Sequence, residues 1–377
     1  MSDSKTIKDL KDSIIETAPD RTNEAHGHTH FDMMKLQSLS SDRFPHVRMR
    51  RLRTNDGIRD MVRENAVQAN DLIVPIFVEE DITERTPLAS MPGLFRESEK
   101  SLEARVKDIA ASGVRGVMLF GVSHNKDHVG SDSMDPNGLL ARMISRAKNA
   151  APELSVIADV CFCEYTDHGH CGPLCAQGDV DNDRTVHNVA MQAVIACEAG
   201  ADMIAPSGMM DGQVSGIRHA LDVTGFSNTP IMAYAAKFAS CFYGPFRDAA
   251  GCALGQSPNV RKDRKSYQLD PANAREALRD ALLDEREGAD MLMVKPGMAY
   301  LDILSKLREQ SDLPLAVYQV SGEYAMLRFA AQAGALNWQD AMMESLLAFK
   351  RSGADMILTY AGAEVARYVK NGTPFSL

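Results

Sequence analysis

The sequence predicts an α/β protein, a (β/α)8 TIM barrel with an extended N-terminal arm, and three observations carry the prediction. Eight short apolar runs suited to strands alternate with helix-like stretches rich in Ala, Leu, Glu and Arg. Such alternation implies parallel pairing through right-handed crossovers, and eight units can close on themselves. Four of the units share a signature, a glycine and then a strand: "SGVRGVMLF", "AGADMIAPS", "EGADMLMVK" and "SGADMILTY". The glycine suits the left-handed position that ends a helix. The chain has 377 residues, 45% apolar and 24% charged, a length for two average domains or one large barrel with additions.

In chain order, residues 1–47 are polar and aperiodic and form the arm, partly disordered or wrapped around a neighbouring subunit. The arm contains "HGHTH", with His26, His28 and His30. Alternating histidines can bind a metal, but in a solvated arm they usually do nothing specific. Residues 48–377 form the barrel domain, opening with a basic entry and an amphipathic helix, "RMRRLRTNDGIRDMVREN". The strand runs are 71–78, 114–121, 154–160, 201–207, 230–237, 289–295, 314–321 and 354–360. One connection, about 238–270, is long, rich in Gly and Pro, and basic at Arg247, Arg261, Lys262, Arg264 and Lys265. Loops this long tend to be lids, and a basic lid suits a small carboxylate, which arginine holds bidentately; a solvated basic loop is the plainer reading.

The net charge of −10 disfavours nucleic acid as a partner. No apolar run approaches the roughly 18 residues of a membrane span. The first residues lack an apolar signal core and are too acidic for a transit peptide, so the expected location is cytoplasmic.

Chemistry concentrates where the strands end. The seventh residue after each signature glycine is Phe120, Ser207, Lys295 and Tyr360. Strands of equal length would bring these to one height, the C-terminal mouth where barrel enzymes work. The other strand ends add Asp159, Lys237 and Ser321. A lysine leaving an apolar strand into a pocket loses charge stabilisation, and a second ammonium nearby disfavours it further. Both effects favour the free amine that forms Schiff bases with carbonyl compounds. Seven cysteines include Cys161, Cys163 and Cys171 in "DVCFCEYTDHGHCG", straight after the third strand. In a reducing compartment such a cluster points to metal, with buried free thiols as the bland reading. Three thiolates leave a position open for catalysis; His168 or His170 as a fourth ligand would make the site structural. Asp159 could move protons or orient a ligand. Cys197 reads as core; Cys175, Cys241 and Cys252 carry no signal.

Together "DVCFCEYTDHGHCG", "AKFASCFYGPFRDAAG", "DRKSYQL", "EGADMLMVKPGMAYLDI", "VSGEYAML" and "GADMILTY" resemble the porphobilinogen synthase (5-aminolevulinate dehydratase) family, over nearly the whole chain from Arg48 to Tyr360. The three cysteines are similar to its zinc-dependent branch; the aspartate-rich version of the other branch is absent. The resemblance implies a lyase that condenses two 5-aminolevulinates to porphobilinogen, losing two waters, early in tetrapyrrole (haem) biosynthesis. It implies Schiff bases on Lys295, for the substrate that becomes the propionate side, and on Lys237, for the acetate side. It assigns zinc to Cys161, Cys163 and Cys171, proton transfer to Asp159, and no ligand role to His168 and His170. Ser321 and Tyr360 would hold the first carboxylate; Arg247, Arg264 and Gln268 the second. Tyr243, Phe246 and Phe120 would shape the pocket and Ser207 line it. It further implies a homo-octamer assembled through the arm and, in some members, a regulatory magnesium, for which Asp248 lies in the matching motif. At Gly208 no catalytic role carries over. A lysine-dependent aldolase would leave the cysteines and the second lysine unexplained. A non-catalytic zinc-binding paralogue would be expected to have lost one of these groups.

Overall fold

The structure is a computed structural model and describes residues 47–255 and 260–376. The arm before residue 47, with His26, His28 and His30, and residues 256–259 of the lid lie outside the described residues. The chain divides into two compact units, Met1–Arg63 and Glu64–Leu377. In the described part of the first, a single-turn 3-10 helix, Met49–Arg53, leads to a short helix, Asp56–Met61. Asn55 caps that helix by accepting from the Ile58 amide at 3.0 Å.

The second unit is the barrel. Its strands are β1 (Leu72–Glu79), β4 (Gly116–Val122), β5 (Ser155–Val160), β6 (Met203–Pro206), β7 (Met232–Lys237), β8 (Met291–Lys295), β9 (Leu315–Tyr318) and β10 (Met356–Leu358). All eight expected runs are present, and every pairing among them is parallel. The ladder runs β6-β5-β4-β1-β10-β9-β8-β7. Its two ends meet at an Ile204–Ile231 bridge, where the Ile204 amide donates to the Pro230 carbonyl at 3.1 Å. The strands are buried almost throughout, as expected where helices cover the outside and side chains fill the inside.

The signature glycines are left-handed as expected. Gly113, Gly200, Gly288 and Gly353 have φ of 102°, 102°, 106° and 104°, angles a side chain would strain. The expectation of equal strands is corrected: β4 has 7 residues, β6 has 4 and β10 has 3. The chain nevertheless stays extended beyond the short strands. The Ser207 amide donates to Val160 and the Thr359 amide to Ile73, both at 3.1 Å.

Two further strands, β2 (Thr86–Pro87) and β3 (Phe95–Ser98), form a small hairpin after β1, with β3 parallel to β1. Two and four residues are too short to show an alternating pattern, so no sequence signal marks them. The long connection leaves β7 through a 3-10 turn, Cys241–Tyr243, and a helix, Gly244–Ala249. It returns beside its start, where the Leu269 amide donates to the Lys237 carbonyl at 3.0 Å and the Ala239 amide to Leu269 at 2.8 Å. Among the described residues no helix is long and apolar enough to cross a membrane.

Candidate active site

β7 and β8 are paired so that Lys237 and Lys295 are direct partners across the ladder. Both side chains are buried. The Lys295 ammonium sits within four aromatic rings, 4.0 Å from the centroid of Tyr318, 5.0 Å from Tyr234, 5.1 Å from Phe246 and 5.6 Å from Tyr243. Burial, and then the Lys237 ammonium, push its pKa down to about 7. Lys237 corrects the expectation that both lysines are depressed. Burial lowers it, but the sulfurs of Cys171 and Cys161 and the Asp159 carboxylate outweigh burial and leave it above the ordinary lysine value. Its Nζ donates to the Ser207 carbonyl at 2.5 Å.

Asp159, near the end of β5, is buried beside both lysines. Burial raises its pKa against their opposing pull. One carboxylate oxygen accepts from Ser207 Oγ at 3.0 Å, while Oδ1 has no partner. A buried carboxyl between two amines, with one oxygen unengaged, is equipped to pass protons.

The loop after β5 brings Cys161, Cys163 and Cys171 together. Their sulfurs lie within 4.8 Å of one another, all buried, and form the one such metal-competent group among the described residues. Cys161 and Cys163 are 3.5 Å apart. Hydrogen bonds from those two hold Cys171 well below the usual thiol range. Soft, convergent, buried sulfurs fit a soft dication. Both neighbouring histidines are otherwise engaged. His168 Nδ1 accepts from the His170 amide at 3.1 Å, and its Nε2 meets the His128 carbonyl at 3.3 Å. His170 contacts the Tyr267 hydroxyl at 3.0 Å through Nδ1 and the Arg261 carbonyl at 2.9 Å through Nε2. Neither joins the sulfur group; His170 ties its loop to the lid, and His168 ties it to the segment after β4.

The lid covers the mouth. The Phe246 amide donates to Ser321 Oγ at 2.9 Å, and its ring packs on Phe77 and Phe120 at 5.4 and 5.2 Å. Tyr243 donates to the Lys295 carbonyl at 3.2 Å. Tyr360 contacts the Tyr318 hydroxyl at 3.2 Å, one ring away from Lys295. Arg264 is buried and uses Nη2 to brace the Gly169 and Cys252 carbonyls at 2.7 and 3.1 Å, leaving Nε without a partner. Gln268 is buried with both amide atoms unpartnered, and Arg247 Nε is likewise orphaned. Unsatisfied buried polar atoms are costly, so this wall is built to meet polar atoms of something else. Arg261 is instead paired with Asp179 at 3.0 Å. Asp248 is exposed, accepts from Ser90 at 2.6 Å and belongs to no three-donor group among the described residues.

Sequence reasoning missed several contributors. Tyr234 and Tyr318 form the aromatic floor but lie inside strands, where nothing distinguishes them from core. Glu164 is buried with an oxygen 3.3 Å from the Cys163 sulfur, its pKa pushed up by burial to about 8. Glu323 is fully buried and accepts from the amides of Gly297 (3.3 Å), Met298 (2.6 Å) and Val320 (2.9 Å), bracing the turn after Lys295. Burial raises its pKa to about 7. An acid three residues into a helix is a capping signature when Ser or Thr precedes it; here Val320 precedes it and hides the signal.

The family model described as delta-aminolevulinic acid dehydratase matches residues 46–368. The chain is 54% identical over 319 residues to the delta-aminolevulinic acid dehydratase of Escherichia coli K12, covering 85% of this chain and 96% of that one. It is 48% identical over 325 residues to the Archaeoglobus fulgidus protein of the same name, covering 86% and 98%. Among solved structures it superposes, at TM-score 0.83 and 44% identity, on delta-aminolevulinic acid dehydratase (porphobilinogen synthase) from Toxoplasma gondii ME49 in complex with the reaction product porphobilinogen, covering 88% of this chain and 95% of that one.

Proposed function

The chain belongs to the delta-aminolevulinic acid dehydratase family, and from that premise we propose that it condenses two 5-aminolevulinates to porphobilinogen through Schiff bases on Lys295 and Lys237, beside zinc held by Cys161, Cys163 and Cys171. The observation that carries the reading is the direct pairing of two buried lysines across one ladder, with the three-sulfur group close to the second.

Lys295 binds first. Its amine is half free near pH 7, so it attacks the keto carbon of one substrate without a separate base and releases water as the imine forms. The surrounding rings exclude water from that imine. Tyr360 and Ser321 would take this substrate's carboxylate. Lys237 holds the second substrate in the same way after giving up a proton, for which the free Asp159 oxygen is the acceptor within the cluster. The unpartnered atoms of Arg264, Gln268 and Arg247 would take the second carboxylate. Bound zinc would act as a Lewis acid on substrate oxygen or nitrogen at the second site. One C–C and one C–N bond form between the two substrates as both lysine amines are released, and the two waters lost overall are those given up when the imines formed. Phe246, Phe120, Tyr243 and Ser207 shape the space.

The product enters tetrapyrrole biosynthesis, haem included. An octamer built through the arm and regulatory magnesium at Asp248 complete the proposal by resemblance, and a cytoplasmic location by the composition of the first residues.

The test is pyrrole formation from 5-aminolevulinate before and after a strong chelator, with zinc or magnesium then restored. Loss of activity rescued by zinc alone supports the full reading. Undiminished activity after chelation, or rescue by magnesium alone, overturns the role of the cysteines. No pyrrole with any metal overturns the function.

A further inference from the structure

Gln319 and Thr359 take no part in the proposed reaction, yet each neighbours residues that do. Successive side chains of an extended strand point to opposite faces. At the end of β9, Tyr318 turns to the barrel mouth, its ring 4.0 Å from the Lys295 ammonium, and Gln319 turns outward to the helix Trp338–Arg351. Just past β10, Tyr360 turns inward and Thr359 outward. The inward pair meet at their hydroxyls, 3.2 Å apart. The outward pair bond to each other, with Thr359 Oγ1 donating to Gln319 Oε1 at 2.7 Å. The Gln319 backbone amide adds a bond to the Leu358 carbonyl at 2.9 Å. Beyond this pair the chain of bonds continues in one direction. The Ala361 amide donates to Thr359 Oγ1 at 3.3 Å, Gln319 Nε2 to Ser345 Oγ at 2.8 Å, and Ser345 Oγ to the Met342 carbonyl at 2.7 Å. Gln319 is thus wholly buried with both side-chain amide atoms engaged, the reverse of Gln268.

We propose that Gln319 is a positioning residue for the first substrate's carboxylate clamp and, through it, sets the chain length of the keto acid accepted there. The proposal rests on the reading of Tyr360 and Ser321 as that clamp. Thr359 immediately precedes Tyr360, and Gln319 stands two residues before Ser321. The bond between Gln319 and Thr359 therefore fixes the two clamp residues against each other. The onward bond to Ser345 fixes both against the outer helix, with β9 paired directly to β8, which carries Lys295. Lys295 must reach the keto carbon while the clamp holds the carboxylate. A clamp that cannot shift admits one spacing, the two methylenes of 5-aminolevulinate. Cutting the chain of bonds gives the clamp play, so that a longer acid is held about as well as the right one.

The experiment is borohydride trapping on Lys295 of the full-length enzyme, read by mass spectrometry, with three carbonyl compounds. These are 4-oxopentanoate, which has the substrate's carboxylate and spacing, 5-oxohexanoate, one methylene longer, and butanone, which has no carboxylate. The wild type should prefer 4-oxopentanoate to 5-oxohexanoate by at least about 10-fold in half-saturating concentration. Gln319→Met and Thr359→Val keep the side-chain shape and lose the bond. Each should cut that preference to within about threefold, with butanone trapping unchanged because the amine and its surroundings are intact. Equal trapping of the two acids by the wild type, or a preference kept in either variant, overturns the proposal. So does an equal fall for all three compounds, which marks general damage around the amine. If neither variant folds, the bond serves the fold and the proposal fails. The double variant Tyr360→Phe, Ser321→Ala tests the premise separately: if it traps 4-oxopentanoate as well as the wild type does, the clamp reading itself is wrong.

Discussion

Around Lys295 the barrel mouth is aromatic: Tyr318, Tyr234, Phe246 and Tyr243 enclose the amine, and the hydroxyls of Tyr243 and Tyr318 have protein partners. Around Lys237, one strand away, it is ionic and sulfur-lined, with three cysteines, Asp159 and Arg264. Its polar atoms are left over at Asp159 Oδ1, Arg264 Nε and Gln268. The difference explains opposite shifts in two lysines that are both buried and paired directly across the ladder. Desolvation and the Lys237 ammonium outweigh the nearby acidic groups and lower one, while the Cys171 and Cys161 sulfurs and the Asp159 carboxylate outweigh desolvation and raise the other. The first half-site is complete as folded; the second is finished by what binds it.

The sharpest way to break this comparison is to delete each amine in turn. Lys295→Met and Lys237→Met should each cost roughly 10^4-fold or more in pyrrole formation. They should differ under borohydride. Lys237→Met should still trap 5-aminolevulinate on Lys295, whereas Lys295→Met should trap little at neutral pH. Equal trapping on both lysines would erase the asymmetry.

The pH dependence tests its cause. The amine fraction of Lys295 rises through pH 7, so kcat/KM should fall about tenfold per pH unit below that value and level off above it. The stability effect has the matching sign. The folded pKa lies below the unfolded one, so burying the ammonium destabilises the fold fully below pH 7 and ceases to do so above about pH 10.5. Lys295→Met should therefore raise the melting temperature more at pH 6 than at pH 10. An equal gain at both would show that the shift is not electrostatic.

Next in size, Gln268→Leu should raise KM by about tenfold while leaving the ligand-free protein as stable or more so, because it removes a buried amide with no partner. Titration calorimetry and thermal melts read the two effects separately. A loss of stability instead would mean that Gln268 serves the fold.

The smallest effects should lie in the braces. Glu323→Gln keeps an acceptor for the turn after Lys295 but weakens three charge-assisted bonds, for a loss of about 1–2 kcal/mol in denaturant melts and a few-fold in kcat. Tyr267→Phe removes the hydroxyl contact to His170, and about 1 kcal/mol or less, from the seam between lid and cysteine loop. Its effect should fall on the Lys237 half-site alone. A matching loss of Lys295 trapping would merge the two regions.

Much of this was determined by the amino-acid order alone. Eight apolar runs, four glycines at helix ends and the residues seven positions on are local patterns, and barrel closure follows from parallel crossovers. The lysines and the three clustered cysteines were legible for the same reason: strand ends meet at one face, and eleven residues of loop can only fold back on themselves. What the tertiary structure decided was everything that depends on a neighbour far along the chain. In "DHGHCG", His170 faces lid residues more than 90 positions away and His168 faces the His128 carbonyl 40 positions back, which takes both out of the ligand set. Glu323 braces amides from another strand's loop. Cys252, without any sequence signal, arrives beside Cys163. The opposite pKa shifts of Lys295 and Lys237 belong here as well. A side chain's charge state depends on which groups surround it in space, and sequence spacing carries that information only within a loop or along one strand.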